Sequence, residues 1–130
     1  MRRAPDTAKL AIELDLQEGL SVRIDKGDLS EIVGNLAENA LRHAAGRMRA
    51  RAKREGEYAR ITIEDDGPGV DVMRRAEITA RGKRFDEGGG AGLGLAIVGD
   101  ILEECGGAME LDVSDLGGLR VDVTLPAQVA

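Results

Sequence analysis

Arg47–Gly69 reads RMRARAKREGEYARITIEDDGPG, and its sequence of alternation, turn, alternation and break decides the fold class. In RMRARAKR, Met48, Ala50 and Ala52 point one way while Arg47, Arg49, Arg51 and Lys53 point the other. That period of two marks a strand with a solvated basic face. Glu55-Gly56-Glu57 then turns the chain into a second strand, YARITIED (Tyr58–Asp65), and Asp66–Gly69 breaks it sharply. Strands joined this closely pair with each other, which argues against alternating β-α units.

Working outward, LAIELDLQ (Leu10–Gln17) and SVRID (Ser21–Asp25) alternate in the same way around Glu18-Gly19. They read as half-buried strands forming a hairpin. Asp28 or Ser30 is placed to cap a helix running to about His43, with Gly46 as its stop. Downstream, Asp71–Thr79 reads as a short helix, RGKRFDEGGG as loop, and LGLAIVGDILEECGG (Leu93–Gly107) as a helix with an apolar stripe and a glycine stop. AMELDVSD and LRVDVTLP read as closing strands around Gly117-Gly118. The expected order is β-β-α-β-β-(α)-loop-α-β-β. The fold class is therefore α+β, a mostly antiparallel sheet with helices on one face.

A length of 130 residues suits a single domain, and 42% hydrophobic with 32% charged residues is an ordinary globular balance. With Tyr58 and Phe85 as the only aromatic residues, the core must be built from Leu, Ile, Val, Ala and Met. The net charge of −6 argues against a general nucleic-acid binder. Single Cys105 excludes an internal disulfide and suits a reducing compartment. No apolar run approaches a membrane span, and MRRAPDTAKL lacks the apolar segment of a signal peptide. These features point to a soluble, cytoplasmic chain without direct membrane contact.

The glycine-rich GGGAGLGLAI (Gly88–Ile97) raises the question of a phosphate loop. A P-loop needs Gly-Lys-Ser/Thr, whereas Gly82-Lys83 is followed by Arg84. A Rossmann fingerprint needs G-x-G-x-x-G after a strand, whereas Gly90, Gly92 and Gly94 are spaced G-x-G-x-G after a charged loop. What remains is a glycine stretch feeding a helix N-terminus, which attracts anions, or a hinge without a ligand.

Two further features lie on GNLAENALRHA and EDDGPG. On a helical wheel Leu29, Ile32, Val33, Leu36, Ala40 and Ala44 share an apolar arc, with Asn35, Glu38, Asn39 and Arg42 opposite. Asparagine is a poor mid-helix residue, but its oxygen is a hard neutral ligand for Mg²⁺ and an arginine one turn on can reach phosphate. EDDGPG is not an EF-hand loop, because position 1 would be Thr62 and position 12 Met73. A carboxylate at a strand end can instead accept from an exocyclic amine such as adenine N6, while the glycines let a flat base approach.

Taken in order, NLAENALRHA resembles an N box, DDGPG with Glu64 a first glycine box and GAGLGLAIV a second. The chain from about Leu10 to Pro126 thereby resembles the catalytic and ATP-binding domain of bacterial sensor histidine kinases, in the superfamily that includes gyrase B, Hsp90 and MutL. The resemblance implies a Bergerat fold, an α+β sandwich whose mixed, mostly antiparallel sheet has helices packed on one face, and a single domain over residues 1–130, excised from a larger, inner-membrane-anchored kinase of a two-component system. It implies ATP and Mg²⁺ as cofactors, with Asn39 as the metal ligand. It also implies that Asn35, Arg42 and His43 line the nucleotide pocket, Asp65 binds adenine N6, and Gly67 and Gly69 give the base room. Gly90, Gly92, Leu93 and Gly94 would face the phosphates. Glu38 would act as a base or polarising group, and Arg81 and Arg84 would stabilise the transferred phosphoryl.

The sequence departs from the pattern where Ile78 or Thr79 replaces a phenylalanine before the lid, where the lid from Arg84 to Gly90 is short, and where Ala91 replaces Thr or Ser. His43, the only histidine, lies inside the N box and is not the phosphoacceptor. The resemblance therefore implies transfer to a histidine on the parent's own dimerisation domain, and onward to a response regulator, with the isolated domain monomeric. The alternatives are an ATPase or anti-sigma-type serine kinase of the same fold, and a non-catalytic nucleotide-binding module.

Overall fold

The computed structural model describes residues 10–68 and 90–127. In chain order the elements are β1 (Ala11–Leu16), α1 (Lys26–His43), β2 (Arg47–Glu55), β3 (Tyr58–Asp65), α2 (Gly90–Cys105), β4 (Ala108–Val113) and β5 (Leu119–Pro126). They form one five-stranded sheet of order β1-β2-β3-β5-β4. β1 and β2 are parallel and the other neighbours antiparallel. The mostly antiparallel α+β sheet agrees with the paired strands of the sequence, and its mixed character agrees with what the family resemblance implies.

Inward side chains of the sheet (Met48, Ile63, Val121, Val123 and Leu125) join Ile32, Leu36 and Ala40 of α1 and Leu95, Val98 and Leu102 of α2 in one core cluster. Each of the larger side chains among them, fully buried, contributes roughly 1.5–3 kcal/mol. The aliphatic core expected from the near absence of aromatics is present, and Tyr58 is 46% exposed.

Three sequence expectations are corrected. LAIELDLQ and SVRID do not form a hairpin: β1 pairs parallel with β2, with Ile12 opposite Met48 and Leu14 opposite Ala50. A parallel pair requires a crossover, and α1 supplies it. Ser21–Asp25 is not a strand; Val22 makes one isolated bridge to Ala127, and the Arg23 amide donates to Pro126 O at 2.9 Å. Its alternation reflects Val22 and Ile24 packing against the core beneath. β1 is also not half-buried, since Ile12, Leu14 and Leu16 are 51, 67 and 59% exposed. α1 packs on β3 and α2 on β4 and β5, so among the described residues the helices leave this edge uncovered.

The caps differ from expectation too. α1 begins at Lys26, and Asp25, rather than Asp28 or Ser30, caps it: its Oδ2 accepts from the Gly27 amide at 3.0 Å and the Asp28 amide at 3.4 Å. Arg42 and His43 in the last turn complement the helix dipole. α2 begins at Gly90, three residues before the expected Leu93, so part of the glycine stretch is helical. Its expected glycine stop is found at Gly106, whose φ of +84° suits glycine alone. The short helix read at Asp71–Thr79 and the loop after it lie outside the described residues.

Candidate functional site

α1 carries the first group of predicted residues, but not all on a solvated face. Asn39 turns inward with Ile32, Leu36 and Ala40 and is only 5% exposed. Its side-chain Oδ1 is buried and has no hydrogen-bond partner in the protein. An orphaned acceptor costs about 1–3 kcal/mol of desolvation, which a helix does not tolerate without a use for it. A hard cation is one partner such an oxygen fits, as is a donor group or a water, and among the described residues no cluster of three His, Cys, Asp or Glu could hold a metal ion. Asn39 thus suits an ion that takes most of its ligands from elsewhere.

One turn on, His43 Nδ1 lies 2.9 Å from the Asn39 carbonyl oxygen. A carbonyl can only accept, so Nδ1 carries the hydrogen and holds the ring against the helix. Glu38 and Arg42 form an exposed pair at 3.4 Å, with side chains 68 and 50% accessible. Pairs of this kind are worth little, so either partner can be drawn away by a ligand. Asn35 donates from Nδ2 to Glu31 O at 2.8 Å, leaving its Oδ1 toward α2, where a Cβ on Gly94 would stand 3.4 Å from it.

The end of β3 supplies the second group. Asp65 is 2% exposed, and its Oδ1 accepts from the Gly67 amide at 2.8 Å. Burial pushes its carboxyl above the ordinary aspartate value, against the opposing pull of the Gly67 and Leu119 amides and the nearby His43. Gly67 is needed for close approach: a Cβ there would collide with the His43 carbonyl. The last turn of α1 and the first residues after β3 therefore touch.

Asp66, to which the sequence reading gave no role, makes that junction. Its Oδ1 accepts from the amides of Ala45, Gly46 and Arg47 at 2.8, 3.0 and 3.1 Å. Burial alone would raise its pKa, but these three amides hold it below the ordinary range. The signal was the second acid of the Asp-Asp pair before a glycine, followed in space by three amides leaving a helix end.

On the opposite face of the sheet, the basic stripe of β2 is not simply solvated. Glu64, 1% exposed, accepts from Arg49 Nε and Nη2 at 3.1 Å each, from Arg51 Nη2 at 2.8 Å and from Ser114 Oγ at 2.7 Å. Arg49 reaches Asp115 as well, at 2.7 Å. Burial would raise the Glu64 pKa, but Arg49, Ser114 and Arg51 together lower it, and Arg49 is raised in turn, chiefly by Glu64. A concavity of about 480 Å³ opens on this face between Arg51, Arg60, Thr62, Arg120 and Asp122. Its charges are paired: Arg60 and Arg120 lie 3.2 and 3.0 Å from Asp122, which also accepts from Thr62 at 2.6 Å. None of the residues expected to hold a nucleotide lines it.

The structure thus brings together Asn39, His43, Asp65 and Gly67, with Asn35 and Gly94 alongside. Glu38 and Arg42 flank them on the exposed side of α1. Gly90, Gly92 and Leu93 lie in the first turn of α2. Gly69, Arg81 and Arg84 fall outside the described residues.

A β-α-β crossover feeding antiparallel strands, with acceptors gathered where α1, itself packed on α2, meets the end of β3, defines the class as an α+β domain with its polar groups at one end of the sheet. Residues 24–129 match the family of histidine kinase-, DNA gyrase B- and HSP90-like ATPases, and the chain belongs to that family. Its relatives include the two-component sensor PhoQ of Pseudomonas aeruginosa, 42% identical over 111 residues that cover 85% of this chain and 25% of that protein. Among solved structures it resembles the mycobacterial sensor histidine kinase MprB, with a TM-score of 0.78 and 26% identity over 95% of this chain and 85% of that one. It also resembles full-length ShkA in complex with AMPPNP, with a TM-score of 0.76 and 31% identity, covering 93% of this chain and 26% of that one. The chain spans about a quarter of the length of the curated relative. Among the described residues no helix is long and apolar enough to cross a membrane.

Proposed function

We propose that this domain binds ATP at the junction of α1, β3 and α2 and passes its γ-phosphoryl group to a histidine on a separate helical dimerisation domain of the parent sensor kinase. The observation that carries the reading is the buried Asp65 carboxylate at the end of β3, linked through Gly67 and His43 to the helix that carries the partnerless Asn39 oxygen. Asp65 accepts from the exocyclic amine of adenine, and Gly67 keeps the approach open. A hydrogen bond to a charged acceptor is worth roughly 1.5–3 kcal/mol, enough to prefer adenine to guanine, which presents an oxygen there. Gly69 gives the base further room.

Asn39 would hold Mg²⁺ together with phosphate oxygens, with Asn35 lining the same pocket and His43 beside the nucleotide. Bound there, the cation neutralises charge on the β- and γ-phosphates. Gly90, Gly92, Leu93 and Gly94 present the amides of the α2 N-terminus to those phosphates. Arg42 exchanges Glu38 for a phosphate oxygen, and the released Glu38 takes the proton of the attacking imidazole. Arg81 and Arg84 steady the transferred group. The phosphoryl then passes to a response regulator, and the parent holds this domain on the inner side of a membrane.

Transfer of a γ-label from ATP to the parent's helical domain, mixed with this chain, tests the proposal. Acid-labile, base-stable label on that domain supports it. Steady release of inorganic phosphate with no labelled histidine would instead favour the ATPase reading.

A further inference from the structure

Glu64 and Asp65 are consecutive, both buried, and face opposite sides of the sheet, and the turn between β4 and β5 grips both. Ser114 Oγ donates to Glu64 Oε1 at 2.7 Å, and Asp115 takes Arg49, the arginine that clamps Glu64. The turn is tightened on Ser114: its amide donates to Gly118 O at 2.8 Å, its carbonyl accepts from Gly117 N at 2.9 Å, and its hydroxyl accepts from Leu116 N at 2.9 Å. Gly117, with φ of +111°, lets the chain turn back.

At the far end of this turn Gly118 lies directly on Asp65. The Gly118 amide donates to Asp65 O at 3.1 Å. A Cβ at Gly118 would collide with Asp65 Oδ1, and would stand 2.6 Å from both Asp65 O and Gly67 N. Two of these three neighbours are backbone, so the crowding cannot be relieved by a rotamer change. The carboxylate, and the amide that orients it, would have to move together.

We propose that Gly118 is a specificity-determining position for base selection and that Ser114, through Glu64, is a positioning residue that seats it. This rests on reading Asp65 as the adenine acceptor. The side-chain-free surface at Gly118 fixes where the Asp65 carboxylate stands, and a hydrogen bond to the base tolerates only a few tenths of an ångström of displacement before it weakens. The base contact depends on the turn, whereas the phosphate contacts on α1 and α2 do not. Selectivity is therefore separable from phosphate affinity.

The test titrates Mg²⁺-ATP, Mg²⁺-GTP and Mg²⁺-tripolyphosphate into wild type, Gly118→Ala and Ser114→Ala, with thermal unfolding by circular dichroism recorded for each. Gly118→Ala is expected to weaken ATP by about tenfold or more, the size of one charged hydrogen bond, with tripolyphosphate and GTP changed less than about twofold. Ser114→Ala, which adds no atoms, is expected to weaken ATP selectively by about threefold. Should Gly118→Ala fail to fold, Ser114→Ala decides. Unchanged ATP affinity in a folded variant, or equal loss of ATP and tripolyphosphate, overturns the proposal alone. Absence of ATP binding to wild type overturns the nucleotide reading first, and the proposal with it.

Discussion

Asp66 Oδ1 accepts from the backbone amide of Gly46 at 3.0 Å, and so ties the residue after β3 to the chain between α1 and β2. The same oxygen holds Ala45 and Arg47. Asp66→Ala leaves three amides without this acceptor, and a loss of about 2–3 kcal/mol is expected in urea unfolding at neutral pH. Asp66→Asn, which keeps an oxygen but not its charge, is expected to fall between. Because the folded-state pKa of Asp66 is lowered, its contribution is present above the ordinary aspartate value and is lost as pH falls through the lowered one. The gap between wild type and Asp66→Ala should therefore narrow in acid; a gap that is constant with pH contradicts this.

Glu64 is the more costly group to disturb. Its side chain is 1% exposed and holds two arginines and a serine. Glu64→Gln leaves Arg49 and Arg51 facing a buried neutral amide, with Asp115 the remaining close carboxylate on Arg49, and about 2–3 kcal/mol of stability should be lost. The lowered pKa gives the same sign as for Asp66: stability present above the ordinary value of 4.5 and lost as pH falls below it. Urea midpoints of wild type and variant across pH 3 to 7, chosen as roughly the span over which carboxylates titrate, check both statements.

Asn39 should show the reverse pattern. Its buried Oδ1 has no partner, and alanine is the better helix former by up to about 0.7 kcal/mol. Asn39→Ala is expected to melt no lower than wild type without ligand, yet to lose the Mg²⁺-dependent part of ATP affinity. A marked drop in melting temperature without ligand would show that the side chain serves the fold instead.

Much of this architecture is legible in the residues. β2 and β3 follow from the alternation on either side of Gly56, and the glycines at Gly106 and Gly117 mark real turns. What failed was pairing between distant segments. Nothing in LAIELDLQ distinguishes a hairpin partner 21–25 from a parallel partner 47–52, because both choices satisfy the same period of two. The burial of Asn39 was missed because the wheel grouped it with the opposite polar arc, although seven positions after Ile32 a helix returns nearly to the same direction, which sets Asn39 on the margin of the apolar arc. The Glu64 cluster was readable only after the register was known, since Arg49 stands opposite Glu64 in the β2–β3 pair. The role of Asp66 required knowing that the end of α1 returns to the end of β3.

Asp65 differs in sign from its acidic neighbours. Its folded-state pKa is raised, chiefly by burial, so its contribution to stability is present below the ordinary aspartate value and is lost as pH rises through the raised one. Asp65→Asn is accordingly expected to lie within about 1 kcal/mol of wild type at neutral pH, a modest change because Gly67 N and Leu119 N keep an oxygen to donate to. Thermal melts of the two proteins at pH near neutral check this. A variant that unfolds would mean that the carboxylate is structural.

The most direct measurement is calorimetric titration of Mg²⁺-ATP and Mg²⁺-GTP into wild type and Asp65→Asn. Binding of ATP in preference to GTP by wild type, weakened by about tenfold or more in the folded variant, is the predicted result, since one charged hydrogen bond is removed. Equal affinity for the two nucleotides, or an ATP affinity that the substitution leaves unchanged, would contradict the assignment of Asp65 as the group that reads the base.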